Sequence, residues 1–298
     1  MIRIGLVDCD TSHVVEFTKR LNHINVAENQ WVEGAKVVAA VPGTSQILPP
    51  ERIKPYVEEL KKYEVAIVEK PADLLGKIDA VMIESVDGSV HRERAEPFLK
   101  AGLPCFVDKP FACKLADAKA MVELAAKHKA PLFSSSALRY APELTKYVAD
   151  AAHGPINGAM AYGPASEHER NPGLFHYGIH ATEILFTLMG AGCKSVTAVK
   201  TKDFDEVVGT WADGRIATVR GIRKGAAGFG AVAFATKSIT HLSLPATFIY
   251  RELLKHVVEF FKTGKAPFDV ATTVEIVAFI EAGITSVANH GVPAELKS

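Results

Sequence analysis

Along the first half of the chain, short apolar runs alternate with segments whose apolar residues recur at helical spacing. Ile2–Val7, Lys36–Val41, Val65–Val68, Asp79–Ile83, Pro104–Val107 and Pro131–Ser134 are apolar or β-branched and bounded by turn residues. Between them Val14, Phe17 and Leu21, then Ile53, Val57 and Leu60, then Leu115, Ala118, Val122 and Ala125 fall on single helix faces. Strands that are apolar throughout are buried on both faces, which predicts a parallel sheet sandwiched by helices. Residues 1–136 therefore read as a Rossmann-type, doubly wound α/β domain.

The pattern changes in residues 137–298. A helix near Pro142–Ala152 leads to a strand, Ile156–Tyr162, and a polar loop, and then to a helix around Tyr177–Met189. Consecutive strand-like runs follow at Ser195–Lys200, Val207–Trp211, Ile216–Ile222 and Ala231–Ala235, with Ala212-Asp213-Gly214-Arg215 as a hairpin turn. Helices at Phe248–Phe261 and Thr272–Ala288 close the chain, separated by a Gly264…Pro267 stop signal. This half is expected to be an α+β domain with a mostly antiparallel open sheet. Alternating apolar positions on that sheet need cover, so a homodimer or homotetramer is expected.

Composition narrows the function. Of the 298 residues, 48% are hydrophobic and 23% charged, a globular profile; Lys plus Arg and Asp plus Glu both number 34. That balance excludes a general affinity for nucleic acid or an anionic membrane surface and points to a small-molecule partner. The N-terminus carries no signal-peptide pattern, no apolar run is expected to span a bilayer, and the four cysteines are scattered; a cytoplasmic location is expected.

Ligands of a doubly wound sheet bind beyond the carboxyl ends of its strands. After the fifth strand stands Asp108-Lys109-Pro110, with a bond before proline that is a candidate for cis; after the sixth comes a serine run leading to Arg139 and Tyr140. In the second half, His176-Tyr177-Gly178-Ile179-His180 places two histidines four apart at a helix start, where both rings are expected to meet.

These segments, in this order, resemble the glucose–fructose oxidoreductase and inositol dehydrogenase family, Gfo/Idh/MocA, over nearly the whole chain. Residues 79–83 with His91, and residues 101–110, are similar to its strand–helix–strand ending in Glu-Lys-Pro. Leu138–Pro142 is similar to its Arg-aromatic-x-Pro segment, His176–His180 to its Asp-x-Gly-x-His motif, and Phe261–Pro267 to its Thr-Gly-Lys-x-Pro turn. The resemblance implies NAD- or NADP-dependent hydride transfer on a carbinol of a sugar, polyol or related compound. It implies His180 as acid/base, Lys109 as the group holding the reacting oxygen, His176 beside them, and Arg139 and Tyr177 at the edge of one substrate cleft. Asp8, Asp10, Thr11, Ser12, Thr44, Ser85, His91, Asp108 and Lys109 are the cofactor contacts it implies.

Two departures stand out. Where G-x-G-x-x-G is expected after the first strand, Asp8, Asp10 and His13 take the glycine positions. A carboxylate about 5 Å from a phosphate is unfavourable by roughly 3 kcal/mol at an effective dielectric of about 20, so weak dinucleotide binding is expected. Asp10 has a second role available, as cap of the first helix, with Thr11 and Ser12 as rivals. The second departure is His176 in place of aspartate. As a minority reading, His176 and His180 form a metal pair with Glu167, His168 or Glu169; the main reading assigns no metal. Rival functions are a ligand sensor on the same fold and a lyase or hydrolase using bound nucleotide transiently.

Overall fold

A computed structural model describes residues 1–297. The chain forms two compact units: one comprises 1–112, 116–135 and 250–270, the other 113–115, 136–249 and 271–298.

In the first unit the order is β1 (Ile2–Val7), α1 (His13–Leu21), β2 (Ala35–Val41), α2 (Pro50–Lys62), β3 (Ala66–Ile67), β4 (Ala80–Ile83), α3 (His91–Lys100), β5 (Cys105–Val107), α4 (Leu115–His128) and β6 (Leu132–Ser134). The six strands are parallel in the order β3-β2-β1-β4-β5-β6. This is the doubly wound order expected from the apolar runs. Ile4, Leu6, Val81, Met82, Ile83 and Phe106 are all fully buried, which is what strands covered on both faces require. The strand order reverses between β1 and β4, the switch point beyond which ligands of such sheets bind.

The second unit contains α5 (Pro142–Ala149), β7 (Ile156–Pro164), α6 (Ile179–Met189), β8 (Cys193–Lys200), β9 (Phe204–Trp211), β10 (Ile216–Ile222), β11 (Gly230–Ala235) and β12 (Ile239–Ser243). The chain then forms α7 (Ile249–Thr263), which belongs to the first unit, followed by α8 (Val270–Ala288) and β13 (Ala294–Glu295) of the second. The seven-stranded sheet runs β12-β11-β7-β10-β9-β8-β13, antiparallel except where β10 lies parallel to β7. Gly214 supplies the positive φ of the β9–β10 turn, +86°, and the Trp211 N–H donates to the Arg215 carbonyl across it. The sequence pattern does not reveal β12, because Ile239-Thr240-His241-Leu242-Ser243 buries only Leu242, as an edge strand can. It also misses β13, whose two residues are too few to show a period.

A single contiguous boundary at 136/137 does not describe the units fully. The chain crosses between them at 135/136, but α7 returns to the first. The reason is aromatic packing: Phe133 of β6 meets Phe260 of α7 at 5.5 Å between ring centroids and Phe268 edge-on at 5.6 Å.

The expectation that no apolar run reaches spanning length is also corrected. By length and composition α8 is long enough, at 19 residues with a mean hydropathy of 1.6. Its apolar face serves the second core, where Phe279 packs edge-on against Phe186 of α6. A Cβ on Gly209 of β9 would come within 2.7 Å of Phe279, so glycine is what allows helix and sheet to approach there. The Ser286 hydroxyl accepts from the Ala198 N–H at 2.9 Å, tying α8 to β8.

Candidate functional site

The loop after β1 keeps a glycine-like backbone without glycine. Asp8 adopts φ +64°, the left-handed conformation that a first fingerprint glycine would take. Asp tolerates this conformation better than most residues, and here its side chain is anchored. Its Oδ2 accepts from the Ser85 hydroxyl at 2.6 Å and from Arg94 Nε at 3.0 Å. The carboxylate lies against Gly43, where a Cβ would come within 1.7 Å of Oδ1. The repulsion expected from Asp8 is therefore corrected: its charge is paired with Arg94, and the first-order penalty against a phosphate is cancelled.

Asp10 is different. It is 2% exposed, its Oδ1 accepts from the Val86 N–H at 2.9 Å, and it bonds the Ser45 side chain. It thus bridges the loops after β1, β2 and β4 instead of capping α1, which corrects that reading. Ser12 occupies the cap position without a side-chain cap bond, and the Thr11 hydroxyl accepts from the His13 N–H at 3.3 Å. Burial pushes the Asp10 carboxyl above its ordinary value of 3.8. A group whose folded pKa is raised contributes stability that is full below the unfolded value and is lost as pH rises through the folded one. Asp10→Asn is therefore expected to gain stability relative to wild type as pH rises from about 4 towards neutrality. Urea midpoints across that range check this; a difference independent of pH contradicts it.

The remaining nucleotide-side residues are placed as follows. Thr44 is exposed just beyond β2, after Gly43 in a left-handed conformation at φ +66°. Ser85 is committed to Asp8, and His91 is fully buried, with Nε2 2.8 Å from the Ser85 carbonyl and Nδ1 3.2 Å from that of Phe111. The residues fit a dinucleotide at the turn and at the end of β2. Asp10 is the one adverse group where a pyrophosphate would approach.

At the end of β5 the Lys109–Pro110 peptide is cis. The Lys109 side chain is 12% exposed, and its ammonium sits 3.4 Å from Asp108 Oδ2. Asp108 is buried; although burial works against its ionised form, His13 and Lys109 hold its carboxyl well below the usual range. His13 Nδ1 lies 2.8 Å from Asp108 Oδ2 and 3.8 Å from Glu84 Oε2. Its ring stacks on Phe17 at 4.8 Å and meets Tyr250 edge-on at 5.2 Å. Sequence reasoning missed Glu84; its signal was a carboxylate directly following an apolar strand, where the first crevice residue must stand.

In the second unit, His180 lies in the first turn of α6, and its Nδ1 is 2.7 Å from the Ser136 hydroxyl. His176 lies before that helix, with Nδ1 3.4 Å from the Asn171 amide nitrogen. The two rings do not share a helix face, because α6 begins only at Ile179. Tyr177, 45% exposed, stands between them, with ring centroids 5.8 Å from His176 and 5.6 Å from His180. Among the described residues, no group of three metal-ligating side chains gathers around His176 and His180. Arg139 is 8% exposed and engages Glu183 through Nε at 2.7 Å and Nη2 at 2.6 Å. Its guanidinium thus has a structural partner inside the unit.

Residues 23–136 match the family model described as "Oxidoreductase family, NAD-binding Rossmann fold". The match begins after the loop that carries Asp8, Asp10 and His13. No curated protein matches the chain by sequence. Among solved structures, scyllo-inositol dehydrogenase from Lactobacillus casei is 15% identical, with a TM-score of 0.81 over 100% of this chain and 99% of that one. A myo-inositol dehydrogenase from Corynebacterium glutamicum is 14% identical, with a TM-score of 0.79 over 100% and 99%. GenD2 from gentamicin A biosynthesis, solved in complex with NAD, is 16% identical, with a TM-score of 0.80 over 100% and 97%. At these identities the structures share the fold. Residues 23–136 are thus similar to the NAD-binding Rossmann segment of that oxidoreductase family, and the whole chain shares the fold of these structures. The resemblance to the Gfo/Idh/MocA family is matched by that family's model over residues 23–136.

Proposed function

We propose that this chain is a nicotinamide-dependent oxidoreductase acting on a CH–OH group of a sugar, polyol or related small molecule. The observation that carries the reading is Lys109: within the family-matched segment, its ammonium is held at the end of β5 by Asp108 and stays partly open to solvent. A bound NAD or NADP supplies the hydride acceptor, with the turn at Asp8 and the Thr44 end of β2 as its contacts. Lys109 holds the reacting oxygen; a compact ammonium suits a developing alkoxide. His180 takes the hydroxyl proton. The Ser136 hydroxyl, 2.7 Å from its Nδ1, orients the ring. Tyr177 and His176 lie next to this acid/base in sequence and supply polar tips for a hydroxylated ligand.

The same reading takes the protein to be cytoplasmic, without nucleic-acid or membrane partners, and self-associating. Exposed Met160, Phe234 and Ile239 on strands of the second sheet support the last point. A ligand sensor on this fold is the second reading, favoured by Asp10 alone.

Titration of NAD and NADP separates the two. Asp10→Gly is expected to tighten binding about tenfold or more, with the gain larger at low salt. Asp8→Gly is expected to give no gain, since it frees Arg94. Equal affinities in wild type and Asp10→Gly would show that Asp10 does not face the nucleotide; binding of neither nucleotide to any of the three would replace the enzyme with the sensor.

A further inference from the structure

We infer that His13, Glu84 and Asp108 form a binding site for one divalent transition-metal ion in the first unit. Their ligand atoms lie within 4.8 Å of one another, and all three residues are buried. Each stands beyond the carboxyl end of a different element of the parallel sheet: His13 follows β1, Glu84 directly follows β4 and Asp108 directly follows β5. The Glu84 N–H donates to the Val7 carbonyl at 2.9 Å and the Asp108 N–H to that of Ile83, also at 2.9 Å, so both carboxylates hang from ladder positions. The His13 ring is fixed between Phe17 and Tyr250. A site held on rigid elements in this way is preorganised.

Glu84 supplies the second, independent observation. It is fully buried, and neither of its carboxylate oxygens has a hydrogen-bond partner in the protein. A buried carboxylate in that state is costly and is ordinarily found paired or ligating a metal. Lys109 faces Asp108, so its ammonium lies against one of the two carboxyl groups. A ligand of positive charge completes the cluster.

The distances suit an ion. With metal–ligand bonds of about 2.1 Å, neighbouring ligand atoms are separated by roughly 3.0–3.4 Å. His13 Nδ1 is 2.8 and 3.8 Å from the two carboxylate oxygens, and all three ligand atoms lie within 4.8 Å of one another. Side-chain rotation must therefore draw the widest pair together by up to about 1.4 Å to reach one ion. One imidazole nitrogen with two carboxylates selects Zn²⁺, Mn²⁺, Fe²⁺ or Co²⁺ over the all-oxygen cages of Ca²⁺. Three protein ligands leave at least one coordination position free, the pattern of a reactive site and not a purely structural one.

The test uses the whole chain, stripped with chelator and titrated with Zn²⁺ and Co²⁺ by calorimetry, with the visible spectrum of bound Co²⁺ as a second readout. One ion per chain is expected. Glu84→Gln and His13→Ala should each weaken binding by a hundredfold or more and change the Co²⁺ spectrum, while His176→Ala leaves both as in wild type. Glu84→Gln nearly conserves shape and replaces an unpartnered buried carboxyl with a neutral amide, so the metal-free variant is expected to melt no lower than the metal-free wild type. Melting temperatures read this directly and keep the test valid should His13→Ala fail to fold. No bound ion, or binding unaffected by Glu84→Gln, overturns the site and leaves a proton as what closes the cluster.

Discussion

His180→Gln is expected to lower kcat by about 10²–10⁴-fold, the usual worth of a positioned acid/base. The Ser136 hydroxyl, 2.7 Å from Nδ1, holds the ring in one orientation, as a positioned acid/base requires. Glutamine keeps the polarity and much of the size but cannot cycle a proton, so the loss should fall on kcat more than on KM. The pH dependence of the rate should lose the limb that His180 imposes. Ser136→Ala should act through the ring's orientation, with a smaller loss and the limb retained. Steady-state kinetics across pH check both. A His180→Gln enzyme within threefold of wild type would remove His180 from the chemistry.

Glu183→Ala is expected to destabilise the protein by roughly 3–5 kcal/mol, the cost of leaving one partner of a buried ion pair alone. Glu183 takes Arg139 through two guanidinium nitrogens, and its other oxygen accepts from the Ser136 N–H at 3.3 Å. The side chains of Arg139 and Glu183 are 9% and 3% exposed, so water cannot substitute. Replacing both together, as Arg139→Met with Glu183→Leu, should recover most of the loss, because the pair's own net worth is small once neither charge is buried. Denaturant unfolding of the two single variants and the double variant measures this. A Glu183→Ala loss below about 1 kcal/mol would mean the pair is solvated in solution.

The architecture was largely legible in the sequence because both sheets follow patterns that burial enforces. Buried parallel strands must be apolar throughout, and Ile2–Val7 and Asp79–Ile83 show it. The hairpin at Gly214 announces itself through its positive φ. What stayed hidden depends on partners distant in the chain. The return of α7 to the first unit is decided by Phe133 meeting Phe260 and Phe268, and no local period carries that information. Asp8 and Asp10 look alike as replaced glycines, yet only Asp8 finds a cation, because Arg94 lies 86 residues away. The histidine pair misled for a related reason: four-residue spacing implies a shared face only inside a helix, and α6 starts after His176. Lys109 was visible through its strand-end motif, whereas Glu84 became apparent only once its buried, unpartnered carboxylate could be seen.

The central claim is hydride transfer on a carbinol, and formation of reduced nicotinamide tests it most directly. The absorbance of reduced cofactor would be followed with NAD and with NADP, using inositols, aldoses and polyols in turn, for wild type, Lys109→Met and His180→Gln. One nucleotide is expected to be reduced with at least one such alcohol, and the rate to fall by about two orders of magnitude or more in each variant. A wild-type protein that binds nucleotide and a polyol yet transfers no hydride in either direction, or one whose turnover survives both substitutions, would contradict it.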